Sequence, residues 1–114
     1  MLFQQVRGAT SIITFSGKRF LIDPFLAPKG ALPPVPSPYN DLPNPLVDLP
    51  LPVSEILTVD GVIVTHMYHF DHFDDHAAKA LPKSMPMFVQ SEKENGDMKA
   101  LGFTNVTTLT DEGV

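Results

Sequence analysis

The sequence predicts an α/β fold in which a β-hairpin is followed by a β-α-β-α-β segment. Two observations predict it. β-branched and aromatic residues flank the turn signal "SGK" near the N-terminus. Farther along, short apolar runs bounded by glycine or proline alternate with segments of helical composition. This alternation is typical of parallel strands joined by right-handed crossovers.

The first element is the hairpin in "TSIITFSGKRFLID". Its composition predicts strands near residues 10–15 and 19–23, and Ser16-Gly17 provides the turn chemistry between them.

A proline-rich loop over residues 28–52 comes next and contains nine of the twelve prolines. Proline fixes φ and lacks an N–H, so this stretch cannot be a helix interior or a central strand. A linker is one interpretation. Its many leucine and valine side chains favour the other, a loop that packs on the domain and borders a site.

The β-α-β-α-β segment begins after this loop. "PVSEIL" predicts a short helix capped by Ser54, and "DGVIVTH" predicts a buried, parallel strand. "DDHAAKALP" predicts a helix that ends before Pro82, with Asp74 and Asp75 stabilising its N-terminus. Asp75 as a metal ligand is the less favoured interpretation.

The remaining elements are two strands and the helix between them. "MPMFVQ" and "NVTTLT" predict the strands. "SEKENGDMKALGF" predicts a helix that starts with a capping box formed by Ser91 and Glu94 and ends at Gly102.

Composition limits the function classes. The chain has 114 residues, of which 43% are apolar, which suits one compact domain. A net charge of −5 without a basic run argues against nucleic acid and against an anionic membrane surface as partners. There is no cysteine, no secretory signal pattern and no apolar run of the roughly 20 residues that span a bilayer. We expect a cytoplasmic protein that acts on a small-molecule substrate.

All four histidines lie in one stretch, "VTHMYHFDHFDDH", residues 64–76. Their spacing of 3, 3 and 4 is also helical periodicity, so a solvated helix face is one interpretation. The other is a metal site, because imidazoles and carboxylates are metal ligands and the stretch follows a buried strand, where open α/β sheets bind ligands. We favour the metal site for the cluster and a surface role for His76.

The stretch "VIVTHMYHFDHFDD" resembles the metal-binding strand-loop of the metallo-β-lactamase fold superfamily, whose motif is T-H-x-H-x-D-H. The segments around it resemble, in order, one branch of that superfamily: the predicted metal-dependent hydrolases similar to the bacterial L-ascorbate-6-phosphate lactonase. The resemblance implies that residues 1–114 form the N-terminal half of an αββα sandwich, with the metal motif at residues 65–72. In the family, further ligands come from the second half.

The resemblance also implies the chemistry. His66, His69, Asp71 and His72 match metal ligands, for up to two divalent ions in the intact domain, with zinc expected first and manganese or iron as alternatives. The metal lowers the pKa of bound water, and the resulting hydroxide attacks a lactone, ester or phosphoester. Asp71 would be catalytic because it orients this nucleophile as well as binding metal.

The spacing departs from the motif by one residue, since this chain reads T-H-x-x-H-x-D-H. In extended backbone, residues three apart point to opposite sides, so His66 and His69 can share an ion only if the loop bulges or turns. The alternative function is therefore a non-catalytic, truncated or degenerate module that associates with itself, as a homo-oligomer, or with a missing C-terminal half.

Asp23, in "LIDPF", ends the second hairpin strand. It either caps a turn before Pro24 or approaches the metal site.

Overall fold

A six-stranded mixed sheet forms the centre of the molecule in the computed structural model, which describes residues 1–30, 48–68 and 72–110. The strands lie in chain order across the sheet: β1 (Leu2–Arg7), β2 (Thr10–Phe15), β3 (Lys18–Ile22), β4 (Gly61–Ile63), β5 (Met87–Val89) and β6 (Val106–Thr108). The helices are α1 (Val53–Ile56), α2 (Asp75–Ala80) and α3 (Glu92–Ala100).

The strand directions confirm the predicted α/β class. β1, β2 and β3 pair antiparallel, whereas β3–β4, β4–β5 and β5–β6 are parallel pairs. The hairpin, β2 and β3, is closed by Ser16 and Gly17, whose φ angles of 51° and 77° are both positive. Such a two-residue turn matches the twist of the strands it joins.

β1 was not predicted. Its centre carries Gln4 and Gln5, and residues 2–5 are exposed, so the alternation that marks a half-buried strand is missing. Its register on β2 shifts between Gln5 and Arg7, as at a β-bulge.

The caps of the two longer helices confirm the predicted signals. Asp74 Oδ1 accepts from Ala77 N at 3.0 Å before α2, and Ser91 Oγ accepts from Glu94 N at 3.2 Å before α3. Gly102, just beyond α3, has a φ of 102°, which glycine adopts at no steric cost.

The predicted Ser54 cap of α1 is wrong. The capping residue is Pro52, no side chain caps this end, and Ser54 lies inside the helix. Pro52 has a φ of −59°, and its carbonyl accepts from the N–H groups of Glu55 and Ile56. Proline's fixed φ suits a helix start, so the helix begins two residues earlier than predicted and leaves the serine no capping position.

The helices pack on one face of the sheet, where the core lies. Fully buried core side chains come from the strands and from all three helices, including Leu21, Val62, Met87, Ile56, Ala77 and Met98. On the opposite face, Phe3, Ile13 and Phe20 form a row across β1, β2 and β3. Phe20 also meets Phe88 edge to face, with ring centroids 6.5 Å apart.

Two loops meet where β3 and β4 end, because these strands are parallel. Asp23 N donates to Ile63 O at 2.8 Å, which extends the pairing by one residue and brings Asp23 beside Thr65. Among the described helices, none has the length and apolar character needed to cross a membrane.

Candidate metal centre

Asp23 lies at the base of the site, and its own backbone has an unusual conformation. Its φ is 48°, in the left-handed region that few residues other than glycine adopt. Three contacts from distant parts of the chain fix it: its N–H donates to Ile63 O, its carbonyl accepts from Thr10 Oγ1 at 2.7 Å, and its carboxylate binds Thr65. Left-handed backbone outside glycine persists where the surroundings over-determine it, and it is frequent at functional sites.

The Asp23 carboxylate gathers the loops after β4. Its side chain is only 5% exposed. Oδ1 accepts from Thr65 N at 2.6 Å, and Oδ2 accepts from Thr65 Oγ1 at 2.6 Å. His72 Nδ1 lies 2.8 Å from the same Oδ2. Asp23 therefore contacts His72, a predicted ligand, and the residue before His66, which supports the second of its two predicted roles.

His66 and His72 lie side by side over this carboxylate. Their ring centroids are 4.8 Å apart, with an angle of 61° between the planes. Thr65 Oγ1 lies 3.0 Å from His66 Nδ1 and 3.4 Å from His72 Nδ1. Both imidazoles therefore turn the same ring nitrogen toward the Asp23–Thr65 pair.

This network selects a tautomer for both rings. An ionised carboxylate only accepts hydrogen bonds, so His72 Nδ1 must carry the proton that it shares with Asp23. Thr65 gives its single hydroxyl proton to Asp23 Oδ2, and its oxygen then accepts from His66 Nδ1. With the proton on Nδ1, the Nε2 of each neutral imidazole carries the lone pair that binds a metal.

The arrangement fits a divalent metal ion. Histidines that bind metals usually donate their other ring N–H to a carboxylate, a carbonyl or a water, which fixes the ring and raises its basicity. His72 and Asp23 have this geometry. Within residues 1–30, 48–68 and 72–110, no group of three His, Asp or Glu side chains is arranged to hold a metal. The structure thus supplies two imidazoles and their support.

The other two predicted ligands, His69 and Asp71, lie outside the described residues, so the four-ligand set stays a prediction. Most of the proline-rich loop, residues 31–47, lies outside them as well.

His76 stands apart from the network. Its side chain is 46% exposed, and its Nδ1 is 3.4 Å from Asp74 Oδ2. It borders a mainly apolar cavity with Leu26, Leu49 and Leu51. This position agrees with a surface role for His76, and the exposed Asp75 lies in the first turn of α2.

A polar cluster at the start of α3 contacts the loop after His66, and sequence reasoning missed it. Met67 and Tyr68 form a turn. The Tyr68 hydroxyl donates to Asp97 Oδ2 at 2.5 Å and accepts from Lys93 Nζ at 3.0 Å, while Lys93 also lies 4.4 Å from the centre of the Tyr68 ring. These residues are 25 and 29 positions apart, so no local pattern reports the contact.

The cluster is electrostatically coupled. The hydrogen bonds with Tyr68 and Asp97 raise the pKa of Lys93. The hydrogen bonds from Tyr68 and then Lys93 lower the pKa of the Asp97 carboxyl below its ordinary value of 3.8. The ionised forms of both residues are therefore favoured at neutral pH.

The fold and this site define a mixed α/β chain with a histidine–carboxylate site, and comparison with known proteins finds similar chains. No family model matches the chain. It is 48% identical over 116 residues to the UPF0173 protein YddR of Bacillus subtilis (strain 168), a match that covers 100% of this chain and 45% of that protein.

Two crystal structures are similar. The isothiocyanate hydrolase from Delia radicum gut bacteria is 44% identical with a TM-score of 0.90, over 96% of this chain and 42% of that chain. A possible metal-dependent hydrolase from Veillonella parvula DSM 2008 is 40% identical with a TM-score of 0.88, over 94% and 41%. The chain therefore spans less than half the length of these relatives. The two crystal structures are both described as hydrolases.

Proposed function

We propose that the chain carries the N-terminal metal-binding part of a metal-dependent hydrolase. The observation that carries the proposal is the Asp23–His72 hydrogen bond, with Thr65 and His66 beside it. A carboxylate that orients a histidine in this way is typical of metal centres. The similarity to a possible metal-dependent hydrolase supports a divalent metal as cofactor.

Two groups of residues have different roles at this centre. Asp23 and Thr65 fix the tautomer and direction of the imidazoles, and His66, His69, Asp71 and His72 would hold the ion. Zinc is our first expectation because imidazole nitrogen and carboxylate oxygen are both among its ligands, with manganese or iron as alternatives. When bound, a divalent ion supplies Lewis acidity and a water of lowered pKa. Asp71 would orient the nucleophile.

The substrate has an electrophilic centre that water can attack. The resemblance to the L-ascorbate-6-phosphate lactonase branch favours a lactone, an ester or a phosphoester. The similarity to an isothiocyanate hydrolase adds the isothiocyanate group, whose central carbon is also open to attack by water.

Metal binding tests the proposal with a matched pair of histidines. Isothermal titration of residues 1–114 with Zn²⁺ should give micromolar or weaker affinity, because these residues carry only the four ligands that the resemblance implies for the N-terminal half of the domain. His72→Ala should abolish this binding, whereas His76→Ala, a control from the same stretch, should leave it intact. Equal loss in both variants, or no metal uptake by the wild type, would overturn the proposal.

Activity is tested separately on the protein as it is encoded, with lactone, phosphodiester and isothiocyanate substrates. Turnover that a chelator removes and Zn²⁺ or Mn²⁺ restores is expected. A metal-loaded protein with no turnover on any of these classes would favour the non-catalytic alternative.

The apolar sheet face favours that alternative in one respect. Phe3 is 65% exposed and Phe15 is 59% exposed, on the face opposite the helices. Contiguous exposed apolar surface marks an interaction site. We therefore also propose that a second copy of this chain covers this face when no other sheet does.

Sedimentation over a range of concentrations tests the association. The wild type should dimerise, and Phe3→Asp with Phe15→Asp should remain monomeric. Leu101→Asp, on an exposed leucine after α3, is the control and should dimerise normally. A wild type that stays monomeric throughout would refute this association.

A further inference from the structure

We infer that α3 positions His66 through a clamp on the turn that follows it, with Tyr68 as the positioning residue. The inference deepens the proposed function, since the clamp would accommodate the extra residue of the H-x-x-H spacing. The clamp consists of Tyr68, Lys93, Glu94 and Asp97.

Tyr68 is held on three sides despite its exposure. It is 58% exposed, and an exposed tyrosine normally has many orientations. Here its hydroxyl bridges Asp97 and Lys93, and the Lys93 ammonium also covers the ring face. Lys93 and Asp97 bind each other at 2.9 Å, four residues apart on α3. The two partners of Tyr68 are thus held beside each other by their own pairing on α3.

Glu94 makes a second link between the turn and α3. It is 7% exposed, and Oε1 accepts from Ser91 Oγ at 3.0 Å, within the capping box. Its other oxygen, Oε2, lies 3.5 Å from Met67 N, a long hydrogen bond. The Glu94 side chain, which accepts from the capping Ser91, therefore also contacts the backbone directly after His66.

The clamp and the Asp23 network bracket His66. Thr65, on one side, binds Asp23, and Met67 with Tyr68, on the other, binds α3. The backbone turns between these anchors instead of continuing extended. A turn is what the longer spacing needs if His66 is to face its fellow ligands, because residues three apart point oppositely along extended backbone.

Two variants test the clamp. Tyr68→Phe keeps the ring over Lys93 but removes the hydroxyl, and Asp97→Asn removes the charged acceptor. Each should weaken Zn²⁺ binding about three- to tenfold, less than the 10–100-fold typical of buried outer-shell partners, because the clamp is exposed. The double variant should lose little more affinity for Zn²⁺ than either single variant, since both substitutions remove the same hydrogen bond between Tyr68 and Asp97. The thermal midpoint of Tyr68→Phe should stay close to that of the wild type, because the contact it removes is exposed.

Glu92→Gln is the matched control for charge. It removes one exposed carboxylate from the same helix, and its affinity for Zn²⁺ should match the wild type. Equal affinity in Tyr68→Phe and the wild type, or an equal loss in the Glu92 variant, would overturn the clamp.

Hydrogen exchange in the metal-free chain separates the clamp from the proposed function. The amides of Met67 and Tyr68 should exchange faster in Tyr68→Phe than in the wild type, and the core amides of β4 should not change. If the wild type binds no Zn²⁺ but this difference is present, the metal function fails and the clamp stands. If the exchange rates are equal, the clamp is refuted whatever the metal result.

Discussion

Replacing Asp23 with asparagine should weaken metal binding at the candidate centre without changing the shape of the side chain. The amide keeps the shape of the side chain, and its oxygen can still accept from Thr65 N. Its NH₂ group, however, would face His72 Nδ1 and Thr65 Oγ1, where the carboxylate now accepts at 2.8 and 2.6 Å. A donor there forces His72 Nδ1 to accept, which moves the ring proton to Nε2.

The magnitude follows from this change of tautomer. Loss of an outer-shell partner of a metal-bound histidine costs about 10–100-fold in metal affinity. At 1.4 kcal/mol for each factor of ten, this equals about 1.4–2.8 kcal/mol of binding free energy. Asp23 is nearly buried, so we expect the upper part of this range.

Isothermal titration with Zn²⁺ measures the affinity, and ¹⁵N NMR of the imidazole reports the tautomer of His72 directly. Asp60→Asn is the control, because Asp60 also accepts from a backbone N–H, that of Arg19 at 2.8 Å, but lies on an exposed loop. The reasoning is refuted if Asp23→Asn keeps the Nδ1–H tautomer, or if its affinity equals that of the control.

Three further predictions concern stability. Leu21→Ala, at a fully buried position, should lower the free energy of unfolding by about 2–5 kcal/mol in urea titrations. Leu2→Ala, at a position that is 72% exposed, should change it by less than about 0.5 kcal/mol. Similar losses in the two variants would contradict the assigned core. Asp74→Ala removes the α2 cap and should lower the free energy of unfolding by about 1–2 kcal/mol in the same assay. An unchanged urea midpoint would contradict a stabilising role for this cap. The hydrogen bonds from Tyr68 and then Lys93 lower the pKa of the Asp97 carboxyl in the folded state, so these contacts stabilise the fold at neutral pH and are lost as the pH falls through and below 3.8. Wild type and Asp97→Asn should therefore differ in stability at pH 7 and converge in acid, and a constant difference would be the contrary result.

The parallel half of the fold is predictable because its signals are local. Apolar runs, Ser91 with Glu94, and Gly102 each report their own element. β1 escapes prediction because its exposed side chains carry no alternation, and its pairing with β2 is a tertiary contact. The Ser54 cap fails because the proline two residues earlier already sets the helix start.

The candidate site was predictable in part for the same reason. The clustered histidines predict candidate ligands, and the position of Asp23 at the end of a hairpin strand leaves its approach to them as one of two interpretations. The tautomer network and the Tyr68 clamp depend on side chains brought together from distant positions, and neither spacing nor composition reports them.

The long sequence separation between Asp23 and its partners determines when the candidate centre can form during folding. Asp23 is 42 residues from Thr65 and 49 from His72, so these contacts close long loops and form only with the parallel pairing of β3 and β4. A peptide of residues 64–76 would contain every histidine of the chain but not the carboxylate that selects the tautomers of His66 and His72. Transplanting the histidine motif into another scaffold would therefore require an aspartate from a neighbouring strand end as well.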